Sequence, residues 1–267
     1  MRCQTCYAEA APTTLDCAVC GTPKGAPAVI PGARTYRLTG VGRAASIVVG
    51  LVVVFDLLIA LWPVVGGLLA ERAMRDLDPD AITGAALVSA LVELVSLVPL
   101  TAAGVLVIVW CFRARANLDA FPGAVPALRK GWAVAGWLVP VANLIVPARV
   151  MAGIARDSLW RSSTPALVRI WFGSWLLYLF VGQVRTLSDN QTFEALPTTL
   201  YGPDDYQLYV DYYSAALGPN LLVALLGVAA GVSLILLVTR VSAAQDTRIE
   251  RGLPAVPVMP GMPMASA

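Results

Sequence analysis

The sequence predicts an all-α integral membrane bundle with a small zinc ribbon at its N-terminus. Three observations lead to this prediction. Of the 267 residues, 58% are hydrophobic and 13% are charged, about half the charged fraction of a soluble domain. Several runs with few charges are long enough for helices that span a bilayer, which takes about 20 apolar residues. Four of the five cysteines form two C-x-x-C pairs near the N-terminus.

Residues 1–22 are predicted to be a four-cysteine zinc ribbon with Cys3, Cys6, Cys17 and Cys20 as ligands. Each pair can form a tight turn with two thiolates on one side, and four thiolates suit a tetrahedral, structural Zn²⁺ ion. So short a segment has no apolar core, and metal binding would supply its folding free energy. Two alternatives stay open: a disulfide pair, which needs an oxidising compartment, and a redox C-x-x-C motif, which normally sits in a larger fold.

A ribbon of this size usually binds protein or nucleic acid. Its flanks show no dense basic and aromatic surface, so we expect a protein partner and disfavour nucleic acid. Residues 23–43 form a Pro/Gly-rich basic linker without an acidic residue.

The membrane domain is predicted to occupy residues 44–240. The bilayer-spanning segments are expected at about 44–70, 84–112, 170–184 and 215–238. Residues 241–267 are predicted to be a disordered cytosolic tail, because prolines recur every few residues from 252 onward and block regular structure. This domain organisation is also compatible with an oligomer.

The distribution of charge predicts the orientation in the membrane. Lys and Arg are enriched on the cytosolic side of membrane proteins. They concentrate, three or four in each, in segments 24–43, 113–130, 149–169 and 240–251. Segments 71–83 and 185–214 are acidic instead, with four and five carboxylates. We therefore expect four crossings and two cytosolic termini. The Ala, Val, Arg and Gly bias favours a bacterial source, and hence the plasma membrane.

The segment 131–148 starts and ends at basic loops and contains Pro140, Asn143 and Pro147. Proline within a helix removes a backbone hydrogen bond, and 18 residues of helix barely cross the hydrocarbon core. We predict a re-entrant or interfacial segment. The alternative is a fifth, kinked span, because proline is tolerated in membrane helices.

Eight residues form a candidate site in the membrane domain. Asp56 lies about halfway along the first span, where a carboxylate usually faces a bundle interior or cavity; it serves either helix packing or an ion path. Glu93 lies nearer the outer end of its span, and a direct pair with Asp56 is not expected. The candidates are Asp56, Arg113, Arg115, Asn117, Trp137, Pro140, Asn143 and Pro147.

The polar candidates beyond Asp56 each allow two interpretations. The Asn143 amide could hydrogen-bond a carbonyl freed by Pro140, or it could line a polar pocket. Arg113 and Arg115 point to different helix faces, so one could meet lipid phosphate while the other enters the bundle; both could equally be positive-inside anchors. Trp137 fits an interfacial aromatic belt.

Three motifs resemble a bacterial membrane protein family known as domain of unknown function 4328. They are R-A-R-A-N at 113–117, G-W-A-V-A-G-W-L-V-P-V-A-N-L-I-V-P at 131–147, and R-V-M at 149–151 with Trp160. The resemblance covers roughly 40–250, and some members also carry an N-terminal zinc ribbon. The chain departs from the pattern at Ala148 and Arg149. The resemblance implies a multi-pass fold and no particular activity.

These observations predict a non-enzymatic membrane scaffold or sensor whose cytosolic ribbon binds a protein partner. The chain has no histidine, which excludes histidine general-base catalysis and histidine metal ligation. The alternative is a small transporter or channel that uses the polar residues of the membrane domain, since broken helices at mid-membrane mark transport sites.

Overall fold

The computed structural model describes residues 2–6, 8–9, 15–160 and 165–252. This part of the chain is helical apart from the N-terminal segment and the connections. Its helices are α1 (Thr39–Asp76), α2 (Pro79–Leu118), α3 (Trp132–Leu138), α4 (Pro140–Asn143), α5 (Val146–Ser158), α6 (Ala166–Glu194) and α7 (Pro203–Gly252).

Four of the described helices, α1, α2, α6 and α7, are long and apolar enough to cross a membrane. Large aliphatic and aromatic side chains on these helices point away from the protein. Examples are Leu94, Val98 and Phe180, which are 62%, 71% and 70% exposed. So much exposed apolar surface belongs in lipid. The prediction of an all-α bundle with four spans is confirmed.

Helices α1 and α7 pack against each other in antiparallel orientation through small residues. Gly42 faces Ser242, Gly231 faces Val53, and Gly227 faces Asp56. A methyl group added at Gly227 would lie 2.9 Å from Oδ2 of Asp56. Lipid gives no hydrophobic drive for helix association, so close approach through small residues and the resulting van der Waals contact hold such helices together.

The other two long helices lie on opposite sides of this pair. Helix α2 packs on α1, and α6 packs on α7. In the described part of the chain, α2 and α6 make no backbone contact with each other. A cleft between them is therefore left open to the bilayer. At one end, α3 and α5 bridge the space, because α3 and α5 contact α2 and α5 contacts α6.

The segment 131–148 is broken into short helices. Val139 has extended backbone (φ −88°, ψ 118°), as expected for a residue before proline. Pro140 and Pro147 lie in the first turns of α4 and α5, where proline is favoured. Helices α3, α4 and α5 have 7, 4 and 13 residues, too few to span the hydrocarbon core. Because α3 packs on α5, the segment folds back, as a re-entrant segment would, and the described part of the chain has four candidate spans.

The prediction of a disordered tail at 241–267 is wrong for residues 241–252. Helix α7 continues to Gly252, and its last turns bury Val241, Gln245 and Arg248. These side chains have partners on other elements, which stabilise the helix beyond the membrane, whereas the prolines begin only after Gly252. Residues 253–267 lie outside the described part of the chain.

The acidic, Tyr-rich segment 185–214 is mostly helical. Helix α6 continues to Glu194, and α7 begins at Pro203 with Asp204 and Asp205 in its first turn, where proline and acidic residues favour a helix start. Tyr206, Tyr209 and Tyr213 are buried against Ala70 and Ala73 of α1 and their neighbours. With 50 residues, α7 is about 75 Å long at 1.5 Å per residue. It therefore reaches beyond the roughly 30 Å hydrocarbon core on both sides.

Four crossings place residues 125 and 201 on opposite sides of the membrane. Val125 and Tyr201 are 74% and 89% exposed. We expect only one of the variants Val125→Cys and Tyr201→Cys to react with a membrane-impermeant thiol reagent in intact cells, and both to react after permeabilisation. The unsubstituted chain gives the background of the native cysteines. Labelling of both variants, or of neither, in intact cells would mean two crossings between these positions, and would support the five-span arrangement.

Candidate functional site

The four predicted cysteine ligands lie together at the N-terminus. The Sγ atoms of Cys3, Cys6, Cys17 and Cys20 are all within 4.8 Å of one another. The Cys3–Cys20 and Cys6–Cys17 sulfur pairs are each 3.5 Å apart. A tetrahedral ion with bonds of about 2.3 Å places its sulfurs about 3.8 Å apart, whereas a disulfide needs about 2.05 Å. The cluster therefore has the dimensions of a metal site.

The two halves of this cluster have the same backbone pattern. Cys3 N–H donates to the carbonyl of Ala8 (3.0 Å), and Cys17 N–H donates to that of Thr22 (2.9 Å). Isolated antiparallel bridges join Arg2 to Glu9 and Asp16 to Pro23, seven residues apart in each case. Gly21 (φ 66°) supplies the left-handed turn of the second half. Two equivalent knuckles thus present two sulfurs each, as the spacing predicts.

The thiols differ in their tendency to ionise. Burial raises the pKa of Cys6 to about 12. Burial also opposes ionisation of Cys17, but hydrogen bonds from the backbone N–H groups of Cys20 and Val19 lower its pKa to about 7. Four adjacent thiolates require a cation to be stable together, and a bound metal provides it.

The cysteine cluster is attached to the end of α7 and to the connection after α2. Arg251 donates to the carbonyl of Thr5 (2.6 Å). The carbonyl of Gly21 lies close to Gly123, where an added methyl group would be 3.3 Å away. Arg248 sits beside this junction and lines a cavity of about 280 Å³ with Cys20 and Trp160. The ribbon is therefore fixed to the membrane domain and does not hang from a free linker.

Arg248 ties three segments together. It is 2% exposed and donates to the carbonyls of Ala28 and Pro122, both at 2.8 Å. Its guanidinium also lies 4.3 Å from the ring centre of Phe121 and 4.8 Å from that of Trp160. Such cation–π contacts stabilise a buried guanidinium. Trp160 itself has positive φ (53°).

Asn117 of the Arg-x-Arg-x-Asn motif forms a buried hydrogen-bond network. Its Oδ1 accepts from Tyr36 N–H (2.7 Å), and its Nδ2 donates to the Tyr36 carbonyl and to Oε1 of Gln245, each at 2.8 Å. Gln245 in turn donates to Ser158 Oγ (2.8 Å) and to the carbonyl of Ala114 (3.1 Å). Asn117 thus fixes the segment before α1 to α2, α5 and α7.

The two arginines of the motif have separate partners. Arg115 is 6% exposed, donates to the carbonyl of Leu128 (2.7 Å) and pairs with Asp119 (2.7 Å). The Arg113 guanidinium lies 6.0 Å from the ring of Tyr36. Arg115 therefore enters the protein, and both arginines contact protein groups at the same end as the ribbon.

Asp246 on α7 caps the N-terminus of α1. Its carboxylate accepts from the N–H groups of Leu38 and Thr39, both at 2.8 Å, and from the Thr39 hydroxyl at 2.5 Å. The first N–H groups of a helix have no partner within the helix, and they attract negative charge. The start of the first span is thus held by the end of the last.

A polar cavity of about 430 Å³ lies in the cleft between α2 and α6. A second cavity of about 260 Å³ adjoins it and shares several of its residues. Asp56 of α1 faces the cleft and accepts a hydrogen bond from Tyr178 OH (3.2 Å). Glu93 of α2 lines the same cavity. The polar side chains shared by the two cavities are Glu93, Arg185, Asp189, Asn190 and Asn220.

Arg185 forms the positive part of this cleft. It pairs with Asp189 at 2.7 Å and donates to Asn220 Oδ1 at 2.9 Å. Tyr212 OH donates to Asp189 at 3.0 Å. The arginine therefore has partners on both α6 and α7.

The cleft continues into an apolar cavity of about 180 Å³. Asp56 and Tyr178 line both cavities and mark the junction. Trp137 and its neighbours Trp171 and Trp175 line the apolar end, with ring centres 6.0–6.3 Å apart. Trp171 is 2% exposed. These tryptophans therefore line the apolar part of the cleft. The sequence instead predicts an interfacial position for Trp137.

The predicted membrane-domain residues do not form one site. Asp56 and Trp137 line the cleft, whereas the arginines and Asn117 form the network near the ribbon. Asn143 is not among the residues that line the cleft, and its Oδ1 is buried without a hydrogen-bond partner among the described residues. Pro140 and Pro147 begin short helices.

Sequence reasoning missed several residues of both regions. In the cleft, Arg185 and Asp189 stand four residues apart near the end of a span, a spacing that indicates an ion pair. Gln245, Asp246 and Arg248 on α7 carry no such signal, because they lie in the stretch that is predicted to be a disordered tail. The missed residues are Tyr178, Arg185, Asp189, Asn220, Gln245, Asp246 and Arg248.

The architecture defines a multi-pass helical membrane protein, and its N-terminal cysteine cluster could hold a metal ion. The chain belongs to the family described as a domain of unknown function (DUF4328), which matches residues 73–243. This range is narrower than the resemblance at 40–250, and it leaves out the cysteine cluster and most of α1. Comparison with curated proteins and with solved structures finds no match.

Removal of the Asp246 carboxylate is expected to destabilise the protein. We expect Asp246→Ala to lower the free energy of unfolding by about 1–2 kcal/mol, because α1 loses its cap. The measurement is the thermal unfolding midpoint in detergent. The control is Glu250→Gln one turn later, since the Glu250–Arg37 pair is 56% and 69% exposed and such pairs contribute little. Equal midpoints for the two variants would argue against the cap.

Metal loading is expected to depend on the cluster alone. Elemental analysis of the purified full chain should find about one zinc ion per chain. The variant Cys17→Ser should lose it, whereas Cys111→Ser should keep it, because Cys111 is fully buried away from the cluster. Bound zinc should also be released as the pH falls, since the ligands must be deprotonated. Zinc retained by Cys17→Ser, or a different metal, would contradict this assignment.

Proposed function

We propose that this protein is a non-enzymatic membrane scaffold or sensor whose cytosolic zinc ribbon binds a protein partner. The observation that carries the proposal is the attachment of the four-cysteine cluster to the end of α7. Arg251 contacts the ribbon at Thr5, and α7 continues from there through the bundle. A change in the bundle that moves α7 would thus move the ribbon as well.

The four-sulfur ligand set supports zinc as the metal. Zinc in such sites is four-coordinate and structural, and the cluster offers no open position for a substrate. The absence of histidine from the chain and the burial of Cys111 are the arguments for a role without catalysis.

The ribbon has an apolar surface suited to a protein partner. Leu15 and Val19 beside the second knuckle are 89% and 55% exposed. Exposed apolar side chains on a module without a core are typical of contact surfaces. The nearby basic residues are not interleaved with aromatic residues, which disfavours a nucleic-acid partner.

The distribution of charge supports two cytosolic termini in a bacterial plasma membrane. The ribbon end of the bundle carries Arg129, Lys130 and Arg149, whereas the opposite end carries Asp204 and Asp205. Lys and Arg favour the cytosolic side. The cytosol also keeps cysteine thiols reduced, and thus able to bind a metal.

A second candidate function is transport of a small solute, and the polar cleft is the observation that favours it. Asp56 and Glu93 line a cavity within the bundle. Against this, Trp137, Trp171 and Trp175 line the ribbon end of the cleft, and α3 and α5 bridge α2 and α6 there. Flux in proteoliposomes that is abolished by Asp56→Asn would favour transport over the scaffold.

Site-specific photo-cross-linking tests the scaffold. A photoreactive amino acid in place of Leu15, in cells of the source organism, is expected to give a discrete protein adduct. The adduct should disappear when Cys6→Ser and Cys17→Ser are introduced, because the ribbon then loses its fold. The same amino acid at Tyr201 is the control at the opposite end. No adduct at Leu15 or Val19, or one that persists without the metal ligands, would contradict a ribbon-dependent partner.

A further inference from the structure

The cleft between α2 and α6 contains more acidic than basic side chains. Asp56, Glu93 and Asp189 line it, with Arg185 as the basic partner. Arg185 is engaged by Asp189 and Asn220. Asp56 receives one hydrogen bond from a phenol, and no ion pair of Asp56 or Glu93 is found among the described residues. A carboxylate inside a membrane is costly unless it meets a partner or a water-filled cavity.

The cleft also changes from polar to apolar along its length. The polar part has a volume of about 430 Å³, which lies in the range of small-molecule sites. Beyond Asp56 and Tyr178, valine, leucine and alanine side chains and the three tryptophans line the apolar part of about 180 Å³. A ligand that fills both parts needs a polar head and an apolar chain. The smaller size of the apolar part favours a single chain.

Access to the cleft is lateral. Helices α2 and α6 make no backbone contact in the described part of the chain, and Leu94, Val98 and Phe180 on these helices are exposed to the bilayer. A molecule dissolved in the lipid phase can therefore reach Asp56 without crossing the protein. The tryptophans at the ribbon end stop it from passing further.

We propose that this cleft binds a single-chain amphipathic cation, such as a long-chain amine or quaternary ammonium compound, drawn from the bilayer. The cationic head lies between Asp56 and Glu93, and the chain occupies the apolar part beside Trp137, Trp171 and Trp175. An anionic head would face three carboxylates, and a neutral one would leave Asp56 and Glu93 without a counter-charge. The assignment goes beyond the scaffold role and does not depend on the ribbon.

The tryptophans provide a direct readout of binding. A bromine atom at the end of the chain quenches a tryptophan that it contacts. We would titrate 11-bromoundecyltrimethylammonium into the purified full chain in a neutral maltoside detergent. Brominated undecanol and brominated undecanoate serve as the neutral and anionic probes of equal chain length. The expected result is saturable quenching by the cation, reversed by unbrominated dodecyltrimethylammonium, with at least about tenfold weaker binding of the other two probes.

Variants at the two carboxylates locate the site. Asp56→Asn and Glu93→Gln should each weaken binding of the cation at least about tenfold and leave the alcohol unaffected. The matched control is Asp76→Asn, an exposed carboxylate on α1 that pairs with Arg72 outside the cleft. Glu93 faces the open side, so its variant remains informative if Asp56→Asn fails to fold, which gel filtration would reveal.

The source of the head group is distinguished by competition. Displacement by dodecylamine but not by lysophosphatidylethanolamine would indicate a simple amine, and displacement by both would indicate a lipid amine head group; either supports the cationic site. Equal quenching by all three probes, unsaturable quenching, or cation binding unchanged in both variants would overturn it. Absence of a ribbon-dependent adduct at both Leu15 and Val19, with intact cation binding, would overturn the scaffold alone.

Discussion

The close antiparallel packing of α1 against α7 is the contact on which the rest of the structure depends. In lipid, van der Waals contact must replace the hydrophobic drive, and Gly227, Gly231 and Gly42 allow the two backbones to approach. This pair forms the centre of the bundle, with α2 on one side and α6 on the other. Because Gly227 lies against Asp56, the same packing also fixes the carboxylate at the edge of the cleft.

At the ribbon end of the bundle, hydrogen bonds from α7 join the packed helices to the cysteine cluster. Asp246 and Gln245 on α7 hold the start of α1 and Asn117 of α2. One turn further, Arg248 and Arg251 reach the segment before α1 and the cysteine cluster. Buried polar networks stabilise a fold only when their members are satisfied, and here the amides and carboxylates find partners on several elements. The family motif at 113–117 therefore serves as a joint between the spans and the ribbon.

The cleft follows from the same arrangement. A central pair with one helix on each side leaves α2 and α6 apart, and the broken segment 131–148 fills the gap only at the ribbon end. The opening is thus deep and closed at one end, with polar groups in the middle and outer part. Polar residues within the spans are unfavourable in contact with lipid, and here they face the cleft instead.

The sequence by itself determined the class of the protein, the four spans and the paired cysteine ligands. Each of these depends on local composition or on spacing within a few residues: apolar length for the spans, C-x-x-C for the ligands, and prolines for the break at 131–148. Only the tertiary structure decided that Asp56 hydrogen-bonds Tyr178 and lines one cleft with Glu93, and that residues 241–252 form a helix held by Asn117 and the segment before α1. Those contacts join residues as many as 220 positions apart, as for Ala28 and Arg248, and no local pattern encodes which distant side chain will satisfy a buried polar group.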